Sequence, residues 1–188
     1  MTISPSRITL NNWPQLYDLG GPRGTLLTNG DLYGNFAGIV LANTGTSTVW
    51  PAIDLAIFQL VCTPVPLTIA QLFVNNGAAI FGNIDVGLYA LDGTRIVSSG
   101  STAQSGASSM QVFNVTDTPI GPGAYYMAVA LNTTTGTVAA QVLGSAQIGQ
   151  LMGLAEQTSA FALPANATLA TSTRLLAPFL GATIKTTI

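Results

Sequence analysis

The sequence predicts an all-β protein, an antiparallel, jelly-roll-like β-sandwich preceded by an extended N-terminal arm. Three observations predict it. Short apolar runs recur between clusters of turn-forming residues, the 188 residues including 20 glycines and 10 prolines, and regular turn spacing marks sandwiches and barrels. One run alternates with a strict period of two and leads into Asp92-Gly93, the dipeptide of a tight hairpin. Helical periods are scarce.

The division falls between residues 52 and 53. Residues 1–52 read as an attachment arm, because Gly20-Gly21-Pro22, Gly24, Asn29-Gly30, Gly34 and Gly38 interrupt every period before it is established. Its aromatic residues Trp13, Tyr17, Tyr33, Phe36 and Trp50 are too many for a solvated tail, so the arm must pack on something. Residues 53–188 read as the sandwich. Strands are predicted at 53–60, 67–74, 110–115, 124–131 and 138–143, with less regular runs at 161–163 and 175–184.

Residues 83–91 give the cleanest strand. Ile84, Val86, Leu88 and Ala90 fall on one face, and Asn83, Asp85, Gly87 and Tyr89 on the other, the pattern of a strand buried on one side. Asp92-Gly93 then returns the chain into 94–98. In 110–115 the apolar set moves from Met110 and Val112 to Phe113 and Val115, which calls for a bulge. In 124–131 both faces are apolar, as in the middle of a sandwich or beneath a partner subunit. After Ser145, the residues Ile148, Leu151, Met152 and Ala155 suit a short helix or a glycine-rich loop equally.

Charge is the main anomaly. Five basic and seven acidic residues make 6% of the chain, with no histidine and a net charge of −2, where a typical soluble chain carries about 25% charged residues. No basic footprint for phosphates exists, so nucleic-acid binding is excluded. A hydrophobic content of 48% excludes intrinsic disorder. Thirty uncharged residues at 55–84 include Pro64, Pro66, Asn75, Asn76 and Gly77, which reads as strands and turns, not as a membrane-inserted helix. No export signal is read in the first eighteen residues. The three Asn-x-Thr sequons at Asn114, Asn132 and Asn166 are therefore taken as compositional.

Chemistry has few places to reside. Without histidine the commonest general base and metal ligand are both missing, and no catalytic residues, metal site or cofactor are expected. Asp85 and Asp92 share one hairpin, yet the first reads as a polar-face residue and the second as a turn former. Cys62 reads as a small buried hydrophobe. Trp50, Tyr89 and Tyr126 are the residues able to stack on a sugar ring or meet a neighbouring subunit.

The segment Gly87-Leu88-Tyr89-Ala90-Leu91-Asp92-Gly93, a Ser/Thr-rich interval, and Pro122-Gly123-Ala124-Tyr125-Tyr126-Met127-Ala128-Val129-Ala130 together resemble the small β-sandwich domains of tailed-bacteriophage particle proteins. Phe161-Ala162-Leu163-Pro164 and the apolar C-terminal run add to the likeness, which covers about residues 53–188. The resemblance implies a non-enzymatic virion component, assembled in the host cytoplasm: a capsid decoration, head-fibre or tail-fibre domain. It implies a homo-oligomer, a trimer by analogy, with the arm gripping the major capsid or another virion protein. Recognition of a host surface glycan or receptor is the alternative reading. The composition argues separately for association, since a mean hydropathy of +0.48 leaves too few polar groups to keep a whole surface in water.

Overall fold

A computed structural model describes residues 26–27, 32–34, 45–63 and 66–185. The chain is an antiparallel β-sandwich. Its strands are β1 (Leu26–Leu27), β2 (Leu32–Gly34), β3 (Thr46–Val49), β4 (Leu55–Thr63), β5 (Leu67–Asn75), β6 (Asn83–Tyr89), β7 (Arg95–Ser98) and β8 (Thr102–Ala103). They continue with β9 (Met110–Ile120), β10 (Gly123–Leu131), β11 (Thr137–Val142), the single described helix α1 (Ala146–Leu151), then β12 (Leu154–Gln157), β13 (Ala170–Thr171), β14 (Leu176–Pro178) and β15 (Leu180–Ile184).

One layer is a seven-stranded sheet ordered β13-β12-β4-β10-β6-β7, with β8 also paired to β6; facing it are a five-stranded sheet, β1-β2-β15-β5-β9, and a three-stranded sheet, β14-β11-β3. The pairing is nested in the jelly-roll manner: β4 pairs with β10 and, inside that pair, β5 with β9. The main core lies between the layers. Leu55, Ile57, Ile84, Val86, Leu88, Met127, Val129 and Leu131 meet Ile69, Leu72, Val74, Phe113, Val138, Leu176 and Leu180 there. The inward alternation expected for β6 and β10 is therefore the one observed.

Several boundaries differ from the sequence reading. The stretch 1–52 contributes strands to the sandwich: β2 pairs with β15, and β3 with β11. Trp50 is 1% exposed and donates its indole N–H to the Leu55 carbonyl at 3.0 Å, so the core begins before residue 53. The remaining residues of that stretch lie outside the described ones. The bulge expected within 110–115 falls later, where β9 passes from Asn114 opposite Gln71 to Thr118 opposite Ile69. Met110 and Val112 are left outside while Gln111 and Phe113 turn inward. Residues 161–163 form no strand. Around Ser145 the helix forms, although the Ser145 side chain makes no cap bond.

The turn after β6 is also wider than a two-residue hairpin. Gly93 N–H bonds to Ala90 O at 3.1 Å and Ala90 N–H to Thr94 O at 2.9 Å, so Leu91 and Asp92 are the central residues. Gly93 follows at φ +88. This is a turn closed by a glycine bulge, the geometry of longer hairpin loops.

At one end of the sandwich the loops are tied by buried amides. Asn76 donates to Gln111 Oε1 at 3.0 Å and to Ser105 O at 2.6 Å, while Gln104 donates to Asn76 Oδ1 at 3.0 Å and to Thr137 O at 2.7 Å. Such groups are tolerated in the interior because they satisfy one another.

Candidate functional site

The outer face of the seven-stranded sheet should be polar if β6 is read as buried on one side. It is not. Ala56, Phe58, Tyr89, Ala128 and Ala130 form a second apolar cluster on that face, capped by Ala160 and Leu163. The cover is a strap, residues 158–169, that leaves β12 and crosses the sheet before β13. Small residues make the bed for it: a Cβ on Gly87 would stand 2.9 Å from Leu163 Cδ1 and force that side chain to shift.

Asp85 lies beneath the strap with no exposed surface. Its Oδ2 accepts the Leu163 N–H at 3.0 Å, and its Oδ1 accepts the Ser99 hydroxyl at 3.2 Å. From β7, the Arg95 guanidinium donates to the Leu163 carbonyl. Leu163 is thus held by both ends of its peptide backbone while its side chain is buried. The Tyr89 hydroxyl donates to Pro164 O at 2.7 Å, Arg95 N–H to Ala165 O at 2.8 Å and Ala167 N–H to Gly93 O at 2.8 Å. Burial pushes the Asp85 carboxyl above the ordinary carboxylate range, against the opposing pull of the Leu163 N–H, the Ser99 hydroxyl and the Arg95 charge. Burial likewise raises the Tyr89 hydroxyl.

Of the three aromatic residues singled out by sequence, two are corrected by this geometry. Trp50 is in the main core and Tyr89 is 0% exposed beneath the strap, edge-on to Phe58 at a centroid distance of 5.2 Å. Neither offers a ring face to a sugar or a subunit. Tyr126 is half-buried, also edge-on to Phe58, at 6.5 Å. The two hairpin carboxylates are not brought together either. Asp92 is exposed at the turn, its carboxyl held below the ordinary range by the Thr94 backbone N–H, and the strand from Asp85 to Tyr89 alone spans about 13 Å.

Two further pairs of charged groups form local ties. Glu156 accepts Arg174 Nε at 3.1 Å and the Ser172 hydroxyl at 3.0 Å, and Lys185 pairs with Asp117. Cys62 is half-buried, not fully buried. Among the described residues no three His, Cys, Asp or Glu side chains gather as a metal site, and no helix is long and apolar enough to cross a membrane.

A second feature was not legible in the sequence. Around α1, Val142, Ile148, Leu151 and Leu175 are 50%, 44%, 76% and 49% exposed. They belong to adjoining pieces of chain: Val142 is opposite Leu176 in the β11–β14 ladder, and Leu143 N–H bonds to Leu175 O at 2.8 Å. Gly149 seats the helix, since a Cβ there would meet Leu143 and Leu154 side chains at 3.2 and 3.1 Å. Neither end of α1 carries an acidic first-turn or basic last-turn residue. The result is a group of exposed apolar side chains on neighbouring pieces of chain around α1. No protein-family model, curated protein or solved structure matches this chain.

Proposed function

We propose that this chain is a non-enzymatic structural component of a bacteriophage particle, decorating the capsid or forming part of a head or tail fibre as a homo-oligomeric β-sandwich. The observation that carries the proposal is the exposure of four apolar side chains around α1: Val142, Ile148, Leu151 and Leu175. Large apolar side chains exposed in one region of a surface mark sites of association. The scarcity of charge supports the same reading, because five basic and seven acidic residues cannot build an extensive ionic interface, whereas apolar burial contributes about 25 cal/mol per Å². The sequence likeness to particle sandwich domains supplies the biological setting, with attachment through residues 1–52 and location in the virion.

Light scattering from low to high sodium chloride tests the assembly, and antibody labelling of purified particles from the host that carries the coding sequence tests the setting. A trimer-sized species that persists in high salt, with labelled particles, is the expected result. A monomer at micromolar concentration overturns the assembly, and unlabelled particles overturn the virion role. A glycan array run on the same preparation separates the alternative of a glycan- or receptor-binding module, whose platform would have to be Tyr126.

A further inference from the structure

We propose that residues 158–169 are a pH-sensitive latch, held most tightly over the apolar outer face of the seven-stranded sheet when Asp85 is protonated and opening more often, though still mostly closed, as Asp85 ionises. The geometry supplies both halves of the device. Asp85 is fully buried with the strap over it, and the strap in turn rests on Asp85 through the Leu163 N–H. Lifting the strap returns the carboxyl to solvent and uncovers Phe58, Tyr89, Ala128 and Ala130.

The protonated acid fits the closed site as well as the carboxylate does. Ser99 Oγ lies 3.2 Å from Asp85 Oδ1, 3.1 Å from Gly100 O and 2.9 Å from the Val86 N–H it accepts. With a proton on Oδ1, the acid donates to Ser99, Ser99 turns its own hydrogen to Gly100, and Oδ2 still accepts the Leu163 N–H. No bond is lost on protonation, and a buried charge is removed, a gain in low dielectric.

Few other groups act on this carboxyl. Among the described residues Arg95, on β7, is the one cation acting on it, and the salt bridges are Arg174–Glu156 and Lys185–Asp117 instead. Tyr89, on the same strand, shares the site and stays protonated, its hydroxyl being pushed upward by burial. The strap itself contains no charged or titratable side chain, and neither do residues 99–101 or β8. From β10 the tyrosines Tyr125 and Tyr126 are the titratable groups, and from β4 the thiol of Cys62, with Asp54 just before that strand.

The direction follows from burial. A closed-state value above the ordinary 3.8 of Asp85 means that the closed form binds more protons than the open one. Closure is therefore favoured in full below the ordinary value and weakens as pH rises through the closed-state value. One proton is exchanged, so the opening constant rises by at most about tenfold per pH unit inside that window.

Hydrogen exchange of the full chain between pH 3 and 8, corrected for intrinsic amide chemistry, reads the latch. The opening constants of the Leu163 and Ala167 amides are expected to climb with pH and then level off, while those of β10 stay constant. Binding of a hydrophobic fluorescent dye should rise in parallel. Asp85→Asn keeps an oxygen for Leu163 and an N–H for Ser99, and its strap should lose the pH dependence. Should that variant fail to fold, Ser99→Ala removes a donor to the carboxylate and should carry the rise to higher pH. A flat profile in the wild-type chain overturns the latch, as does an undiminished slope in Asp85→Asn or an unmoved one in Ser99→Ala.

Discussion

Leu163 donates its N–H to Asp85 Oδ2 at 3.0 Å, across 78 residues of sequence, and its carbonyl accepts from Arg95. A single residue of the strap is thereby clamped, through two successive peptide groups, between an acid on β6 and a base on β7. The leucine side chain, 2% exposed, fills the space above Gly87. Backbone grip and side-chain burial act at one residue, so this residue is where the strap can be tested.

Leu163→Ala should destabilise the protein by about 2–5 kcal/mol, the range for emptying a buried leucine site. The backbone bonds to Asp85 and Arg95 survive in the variant, so the loss reports packing alone. Denaturant melts measure it. A change of a few tenths would mean that the strap does not depend on this side chain.

Gly93 and Gly100 provide an internal comparison. Both have positive φ, +88 and +69, but a Cβ at Gly93 would collide with the Ala167 carbonyl oxygen while one at Gly100 meets nothing within 4 Å. Gly100→Ala should cost about 1–2 kcal/mol, the strain of the left-handed region. Gly93→Ala should cost about 2–4 kcal/mol, because displacement of the strap is added to that strain. Equal losses in thermal or denaturant melts would show that the strap yields freely at Ala167.

The strap also marks where sequence reading stopped. Period-two alternation placed Ile84, Val86 and Leu88 inward correctly, since that face packs on a neighbouring sheet of the same kind throughout. The opposite face holds Asp85, Gly87 and Tyr89, and their polarity reads as exposure only when nothing covers them. Two signals pointed to a cover. Both faces of 124–131 are apolar, and 158–169 is an uncharged run with Phe161 and Leu163 in no strand period. Taken singly, each suited a subunit contact or a short strand. Trp50 failed for a similar reason: glycines before it suggested an arm, whereas one indole bonded to Leu55 O draws the chain into the core. The exposed apolar side chains around α1 come from separate pieces of chain that β11–β14 pairing brings together, and no local pattern records that.

Tyr89→Phe removes the donor to Pro164 O and should cost about 0.5–1.5 kcal/mol near neutral pH. The difference should shrink in alkali. Burial raises the Tyr89 hydroxyl above its ordinary value of 10.0, opposed by Arg95 and reinforced by Asp85, so the folded state holds this proton more tightly than the unfolded chain. Stability from the hydroxyl is then present below pH 10 and is lost as pH rises beyond it. Paired melts of both proteins at pH 7 and pH 11 check this. A wild-type advantage that grows with pH would contradict the assignment.

Leu151→Lys separates folding from assembly. At 76% exposure the leucine contributes little to the subunit, and surface changes of this type usually stay within about 0.5 kcal/mol. Lysine is also a good helix former, so α1 should persist. In the region it shares with Val142, Ile148 and Leu175, however, an ammonium group would have to be desolvated wherever a subunit covers Leu151, and an unpaired charge is costly to bury. The expected outcome is unchanged melting of the subunit and a lower mass in light scattering, with the loss not restored by high salt because no ion pair is involved. An unchanged mass would place the subunit contact elsewhere, and a large loss of stability would show that Leu151 serves the fold of the single chain.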